Sequence, residues 1–171
     1  MSATFGLLVV RAIIGLVFAS HGAQKLFGWF GGYGLAGTAG WLESIGFRPG
    51  RIFALTAGLG ELLGGLLLAL GFLGPVGPAL VLATMVVATV AVHWVNGFYN
   101  TKNGYELPAI YALAALAFAF GGFGPISLDS AIGLTGWSAT VVWIVLAIGA
   151  IAGLASVAAR RPVPSATAPS N

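Results

Sequence analysis

There is no cysteine anywhere in this chain. Disulfides, thiolate metal sites and dithiol redox chemistry are therefore excluded, and any electron chemistry needs a bound cofactor or a partner. Charge is almost as scarce. Asp, Glu, Lys and Arg make up 6% of the 171 residues, against about a quarter in an ordinary soluble domain. Seven basic and four acidic residues leave a net charge of +3. They form no clustered basic face, so a nucleic-acid partner is not expected. Phosphate-binding loops, nucleophile elbows and paired-carboxylate hydrolase patterns are also missing.

What remains is oily. Hydrophobic residues account for 58% of the chain and the mean hydropathy is +1.00. Such a chain has too little polar surface to cover a water-soluble globule, so the lipid bilayer is its expected solvent. The 27 glycines suit membrane helices that pack at close range.

Five stretches are apolar enough to span: residues 5–26, 53–73, 79–96, 107–123 and 138–159. The predicted fold is all-α, a polytopic membrane helical bundle. The fourth span is the shortest, and the GGFGP run at 121–125 stops it. The first does not read as a cleaved signal peptide. It has no basic leader, carries Arg11 inside its apolar run, and leads into His21 and Lys25 rather than a small-residue cleavage site. Residues 161–171, which contain PVPSATAPSN, read as a disordered tail.

With five spans, one side carries Lys25, Arg48, Arg51, Lys102, Arg160 and Arg161, while the loops at 74–78 and 124–137 carry no Lys or Arg. The positive-inside rule then predicts an outside N-terminus and a cytoplasmic C-terminus. A four-span count breaks this partition. Between the first two spans, residues 27–50 hold eight glycines, with Trp29, Tyr33 and Trp41 suited to the headgroup level. A short interfacial helix is expected at 35–45. Two readings stand for this segment: a connector resting on the membrane, or a lid over a cavity between helices.

A charge near the bilayer centre costs roughly 2.5–3.5 kcal/mol on the insertion scale, so such groups face the bundle interior and find partners. Arg11 and Glu61 are the two at depth. Their opposite signs suggest an ion pair between the first two spans. Helical rise leaves a gap of about 10 Å between them, to be closed by tilt or by a bridging group. Glu61 lies in GLGELLGG, where Gly60 and Gly64 form a small-xxx-small pair that admits another backbone. It reads either as a staple or as a carboxylate that carries protons or binds a headgroup.

His21 and Lys25 are four apart and share a face of the first helix. Arg11 falls about 40° from Lys25 and about 80° from His21 around that helix. One side thus carries a polar stripe running inward from the cytoplasm. Snorkelling alone accounts for Lys25, but not for His21 or Arg11. The third span ends similarly with His93, and Glu106 opens the fourth, where a helix N-terminus favours a carboxylate. His21, Lys25, His93 and Glu106 are expected near one face, with Trp29, Trp94, Phe98, Tyr99 and Tyr105 at the same level. No two of the histidines and carboxylates have ligand spacing within one helix, so no metal site is expected.

These residues resemble the DoxX family of small bacterial membrane proteins. The shared features are Arg11 followed by HGAQKLFG (21–28), GLGELLGGLLLALGF (58–72), the segment with His93, Gly97, Phe98, Gly104 and Glu106, and GGFGPISLD (121–129). The likeness runs over about residues 5–130. It implies a four-helix membrane bundle in the bacterial inner membrane, here residues 1–136, with residues 137–160 as an added fifth transmembrane helix. The resemblance also implies partnership with redox enzymes: related proteins serve as membrane subunits of quinone-linked sulfur oxidoreductases or accompany soluble enzymes of oxidant defence. It assigns no catalytic residue.

The expected function is a membrane subunit or anchor of an oxidoreductase complex, non-catalytic by itself, with quinone as the cofactor to consider. The candidate ligand-binding cluster is Arg11, His21, Lys25, Glu61, His93 and Glu106, with aromatic contacts from Trp29, Trp94, Phe98 and Tyr99. Competing readings are a small-molecule transporter or exporter, which for so small a chain needs a homo-oligomer, and a purely structural membrane protein.

Overall fold

The structure, a computed structural model, describes residues 3–161. The expected tail at 161–171 lies, apart from Arg161, outside the described residues. In chain order the elements are α1 (Ala3–Phe27), α2 (Gly34–Ser44), α3 (Gly50–Leu70), α4 (Val76–Ala88), α5 (Glu106–Gly121), α6 (Leu128–Ala131) and α7 (Ala139–Ala158). α4 runs on through a π-turn at Thr89–His93 and a 3-10 turn at Trp94–Asn96. Among the described residues there is no strand. α1, α3, α7 and the continuous stretch Val76–Asn96 are long and apolar enough to cross a membrane, and α5 is a shorter apolar helix. The chain is an all-helical, polytopic membrane bundle.

Its outer surface shows what it must be dissolved in. Ile13, Leu16, Leu113, Trp143, Ile148 and Ile151 are all more than half exposed. An apolar surface of that extent is stable only against lipid. Inside, Phe18 of α1, Val81 and Met85 of α4 and Ala115 of α5 form the central core. Ala79 and Ala119 pack with Val142 and Leu146, so α7 seats against α4 and α5.

Small residues set the register of the first antiparallel pair. A Cβ placed on Gly15 of α1 would lie 2.5 Å from the backbone nitrogen of Ala69, and one on Gly65 of α3 would meet the backbone of Gly15 and Ala19. The α1 and α3 backbones are in direct contact, as small-residue seams allow. Gly60 and Gly64, expected to admit a neighbouring backbone, lie on the face of α3 turned to α4, where a Cβ on Gly64 would lie 3.3 Å from both the Gly77 carbonyl oxygen and the Val81 nitrogen. Replacing Gly65 with leucine forces backbone apart from backbone. The expected loss is at least about 3 kcal/mol, the upper end for overpacking. A Cβ on Gly6 would have nothing within 4 Å of it, so Gly6→Ala serves as the neutral control. Thermal unfolding in detergent measures both.

The span boundaries shift for local reasons. The helix expected at 53–73 is α3, displaced three residues toward the N-terminus. Glu43 accepts the N–H of Gly50 at 2.8 Å, satisfying one of the orphan donors at that end. At the other end Gly71 takes φ 65°, and Phe72 N–H bonds to the Leu67 carbonyl at 2.9 Å. This is the left-handed glycine stop.

Candidate functional site

The two expected intramembrane charges do not meet. Glu61 pairs instead with Lys25, whose Nζ lies 2.5 Å from Oε2. Among the described residues this is the one salt bridge. Glu61 is buried and Lys25 keeps 28% of its side-chain surface. Lys25 therefore does not simply snorkel outward. It turns in and neutralises the carboxylate.

Arg11 sits at the other end of the bundle. It is 1% exposed, and its guanidinium donates to three backbone carbonyls: Ala69 at 3.2 Å, Phe123 at 2.6 Å and Ile126 at 2.9 Å. The first is an orphan acceptor of the last turn of α3, and the other two belong to the irregular stretch after α5. Non-helical backbone at membrane depth survives only where protein satisfies it, and Arg11 does that here. Asp129 works beside it. Its two oxygens accept the N–H groups of Leu73 at 2.8 Å and Gly74 at 2.7 Å, fixing a turn in which Leu73 has φ 60°. Arg11 and Asp129 are a structural clasp, remote from Glu61. Asp129 carried no sequence signal beyond its place in the GGFGPISLD stretch.

The Lys25–Glu61 pair lies in the wall of a cavity of about 440 Å³, within the range of about 300–1,000 Å³ usual for small-molecule sites. α4 supplies its floor, with Leu80, Ala83, Thr84 and Val87. α3 contributes Ile52, Thr56 and Gly60, and α7 contributes Ala152, Gly153 and Ser156. Trp41, Leu42 and Phe47, from α2 and the turn after it, complete the wall. The 27–50 segment, read as a connector or a lid, sets Trp41, Leu42 and Phe47 against the cavity. Its hold on the bundle is specific. Leu42 and Phe47 pack with Ala54 of α3, Thr38 donates to the Lys25 carbonyl at 3.3 Å, and Arg160 donates twice to the Ile45 carbonyl at 3.0 and 2.8 Å.

His93 also lines this cavity. It closes the π-turn Thr89–His93, and such single wide turns recur at functional sites. Its Nδ1 lies 2.7 Å from the Asn103 carbonyl. A carbonyl only accepts, so Nδ1 carries the proton, and Nε2 of the neutral ring is left as an acceptor.

The other expected residues fall outside the cavity. His21 contacts Gln24 at 3.2 Å and meets the Tyr111 ring edge-on at 6.1 Å. Glu106 accepts the Asn100 N–H at 2.9 Å, ordering the α4–α5 connection. The expected aromatic contacts are elsewhere too. Trp94 stacks on Tyr105 at 5.2 Å, with Phe98 against both Tyr105 and Tyr99, and Trp29 packs on Phe27 and Phe30. The aromatic residues that do line the cavity are Trp41, Phe47 and Phe53. The cluster thus divides into a cavity group of Lys25, Glu61 and His93, a neighbouring His21, a loop-ordering Glu106 and a distant Arg11.

Compared with known proteins, the chain matches the family model DoxX over residues 6–94. That stretch holds α1 to α4 and every cavity residue except those of α7. No curated protein and no solved structure matches the chain.

Proposed function

The chain belongs to the DoxX family, and from that premise we propose that it is a membrane subunit of a redox complex that binds a lipid-soluble quinone in the Lys25–Glu61 cavity. The observation that carries this reading is an ion pair and a half-buried histidine set into an otherwise apolar cavity between membrane helices. A quinone asks for that combination. Its ring needs apolar walls, which Phe47, Phe53, Leu80 and Val87 supply. Its carbonyl oxygens need donors, and the Lys25 ammonium has protons beyond the one directed at Glu61. Its reduced hydroxyls need acceptors, for which Glu61 and the free Nε2 of His93 are suited.

A bound quinone supplies two-electron, two-proton chemistry. This chain's residues bind and orient it and hold protons at Glu61 Oε2 and His93 Nε2, while the electrons come from a partner enzyme. The exposed Arg48, Arg51, Lys102 and Arg161 all belong to the cavity end of the bundle, and the loops at the Arg11 end carry no Lys or Arg. By the positive-inside rule the cavity end faces the cytoplasm, the N-terminus lies outside, and five crossings are made in the bacterial inner membrane. A soluble partner then docks on the cytoplasmic face.

Titration of purified protein with a short-chain quinone, read by tryptophan quenching, tests the reading. Wild type is expected to saturate. Glu61→Gln keeps the side-chain shape but removes the charge that orients Lys25, and is expected to weaken binding about tenfold, roughly the 1.4 kcal/mol of one charge-assisted contact. Absence of saturable binding in wild type sinks the quinone reading.

A further inference from the structure

We infer that the cavity opens sideways into the bilayer between α3 and α7, and that this opening is the portal through which the isoprenoid tail of the bound quinone extends. The inference rests on the quinone reading above and adds how the ligand enters and which ligands fit.

The rim is identified by residues that both line the cavity and remain exposed. Ile52 and Thr56 on α3 and Ala152 on α7 meet both conditions, as does Trp41 at the edge of the α2 cover. Thr56 lies six residues inside the start of α3 at Gly50, and Ala152 six residues inside the end of α7 at Ala158. Each is about 9 Å in from the same end of the bundle. The opening is therefore at the depth of lipid chains rather than in the aqueous loops.

Two neighbouring seams are closed by backbone contact. The α1–α3 seam is in backbone contact through Gly15 and Gly65. α4 and α7 are equally tight, since a Cβ on Gly149 would lie 2.5 Å from the Ala79 carbonyl oxygen and one on Gly153 would lie 2.6 Å from that of Ala83. The end toward the connecting loops is covered by Trp41, Leu42 and Phe47. Arg160 holds that cover to α7 by its bonds to Ile45 and by its position 5.4 Å over the Phe47 ring. A water-soluble ligand thus meets a clamped cover, whereas a membrane-dissolved one meets a gap between two helices.

Polarity agrees with this direction. Lys25 and Glu61 mark the inner wall, while Ile52 and Ala152 mark the rim. A head seated against the ion pair leaves its hydrocarbon tail pointing to the lipid. α7, which supplies half of the rim, lies beyond the residues 6–94 that match the family. The portal is accordingly a property of this chain's C-terminal helix as much as of its family core.

The test compares a short-chain with a long-chain quinone in lipid nanodiscs, using wild type and the rim variants Ala152→Trp and Thr56→Trp. Both positions are exposed, so tryptophan is accommodated, and short-chain binding reports whether the headgroup site is intact. The expected result is that each variant weakens long-chain binding at least about tenfold more than it weakens short-chain binding. A diazirine on the first isoprene unit is expected to label peptides covering 50–57 and 150–157 in wild type. Equal loss of both quinones in both variants, unchanged long-chain binding, or labelling confined to α1 or α5 overturns the portal while leaving the headgroup site standing. Failure of both quinones to bind wild type overturns the quinone reading and the portal with it.

Discussion

Replacing Arg11 with leucine is expected to give the largest loss of stability of any single substitution in this chain. Three carbonyl oxygens lose their donor at once, one in a buried and two in part-buried bonds. An unsatisfied buried polar group costs about 1–3 kcal/mol, so three together remove about 5 kcal/mol. For a chain of this size that corresponds to a fall in Tm of about 10–20 °C. Lysine at the same position offers one compact point charge where arginine spreads a planar fork. Arg11→Lys therefore falls between wild type and Arg11→Leu. Thermal unfolding in one detergent, with the three proteins side by side, is the measurement. A leucine variant as stable as wild type would show that the α3 end and the 123–126 segment hold together without the guanidinium. Quinone binding, where the variant remains folded, is expected to be unchanged, because Arg11 is remote from the cavity.

The second large effect concerns Lys25 and Glu61, and it is asymmetric. Lys25→Met strands a carboxylate that is 8% exposed and is expected to cost about 3 kcal/mol, the low end for breaking a buried pair. Glu61→Leu strands a lysine that keeps 28% of its side-chain surface and sits in the last turn of α1. That lysine swings out to the headgroups, so the loss is smaller. The double variant Lys25→Met with Glu61→Leu regains most of the stability, as apolar replacements of buried pairs commonly do. It is nevertheless expected not to bind quinone. Stability and binding measured across all four proteins separate the staple from the ligand site: a double variant that still binds would leave the pair with a packing role alone.

The helices were legible because the bilayer writes them in composition. Spans expected at 5–26, 79–96, 107–123 and 138–159 correspond to Ala3–Phe27, Val76–Asn96, Glu106–Gly121 and Ala139–Ala158, and the interfacial helix expected at 35–45 is Gly34–Ser44. The partners of Arg11 and Glu61 were not legible, for two reasons. Matching signs considers side chains only, whereas Arg11 is satisfied by backbone, which every residue possesses. The pairing also depends on the register of α1 against α3. The observed register puts Arg11 beside Gly71, since a Cβ there would lie 2.5 Å from an Arg11 guanidinium nitrogen. That point is ten residues, about 15 Å, beyond Glu61. Gly15, Gly22, Gly58, Gly60, Gly64 and Gly65 allow several antiparallel alignments, and the sequence does not choose among them. The cavity was hidden for a related reason. Its walls come from five helices, and Trp41, Phe47 and Phe53 differ in no local feature from the aromatics at the surface.

The bonds of Arg160 and Arg161 to residues 45 and 46 join the end of α7 to a turn made more than a hundred residues earlier. On the ribosome, that earlier turn reaches the membrane while α7 is still unmade. The cavity thus has no side wall until synthesis has passed residue 160, and a nascent chain paused after α5 presents an open groove to whatever insertion machinery surrounds it.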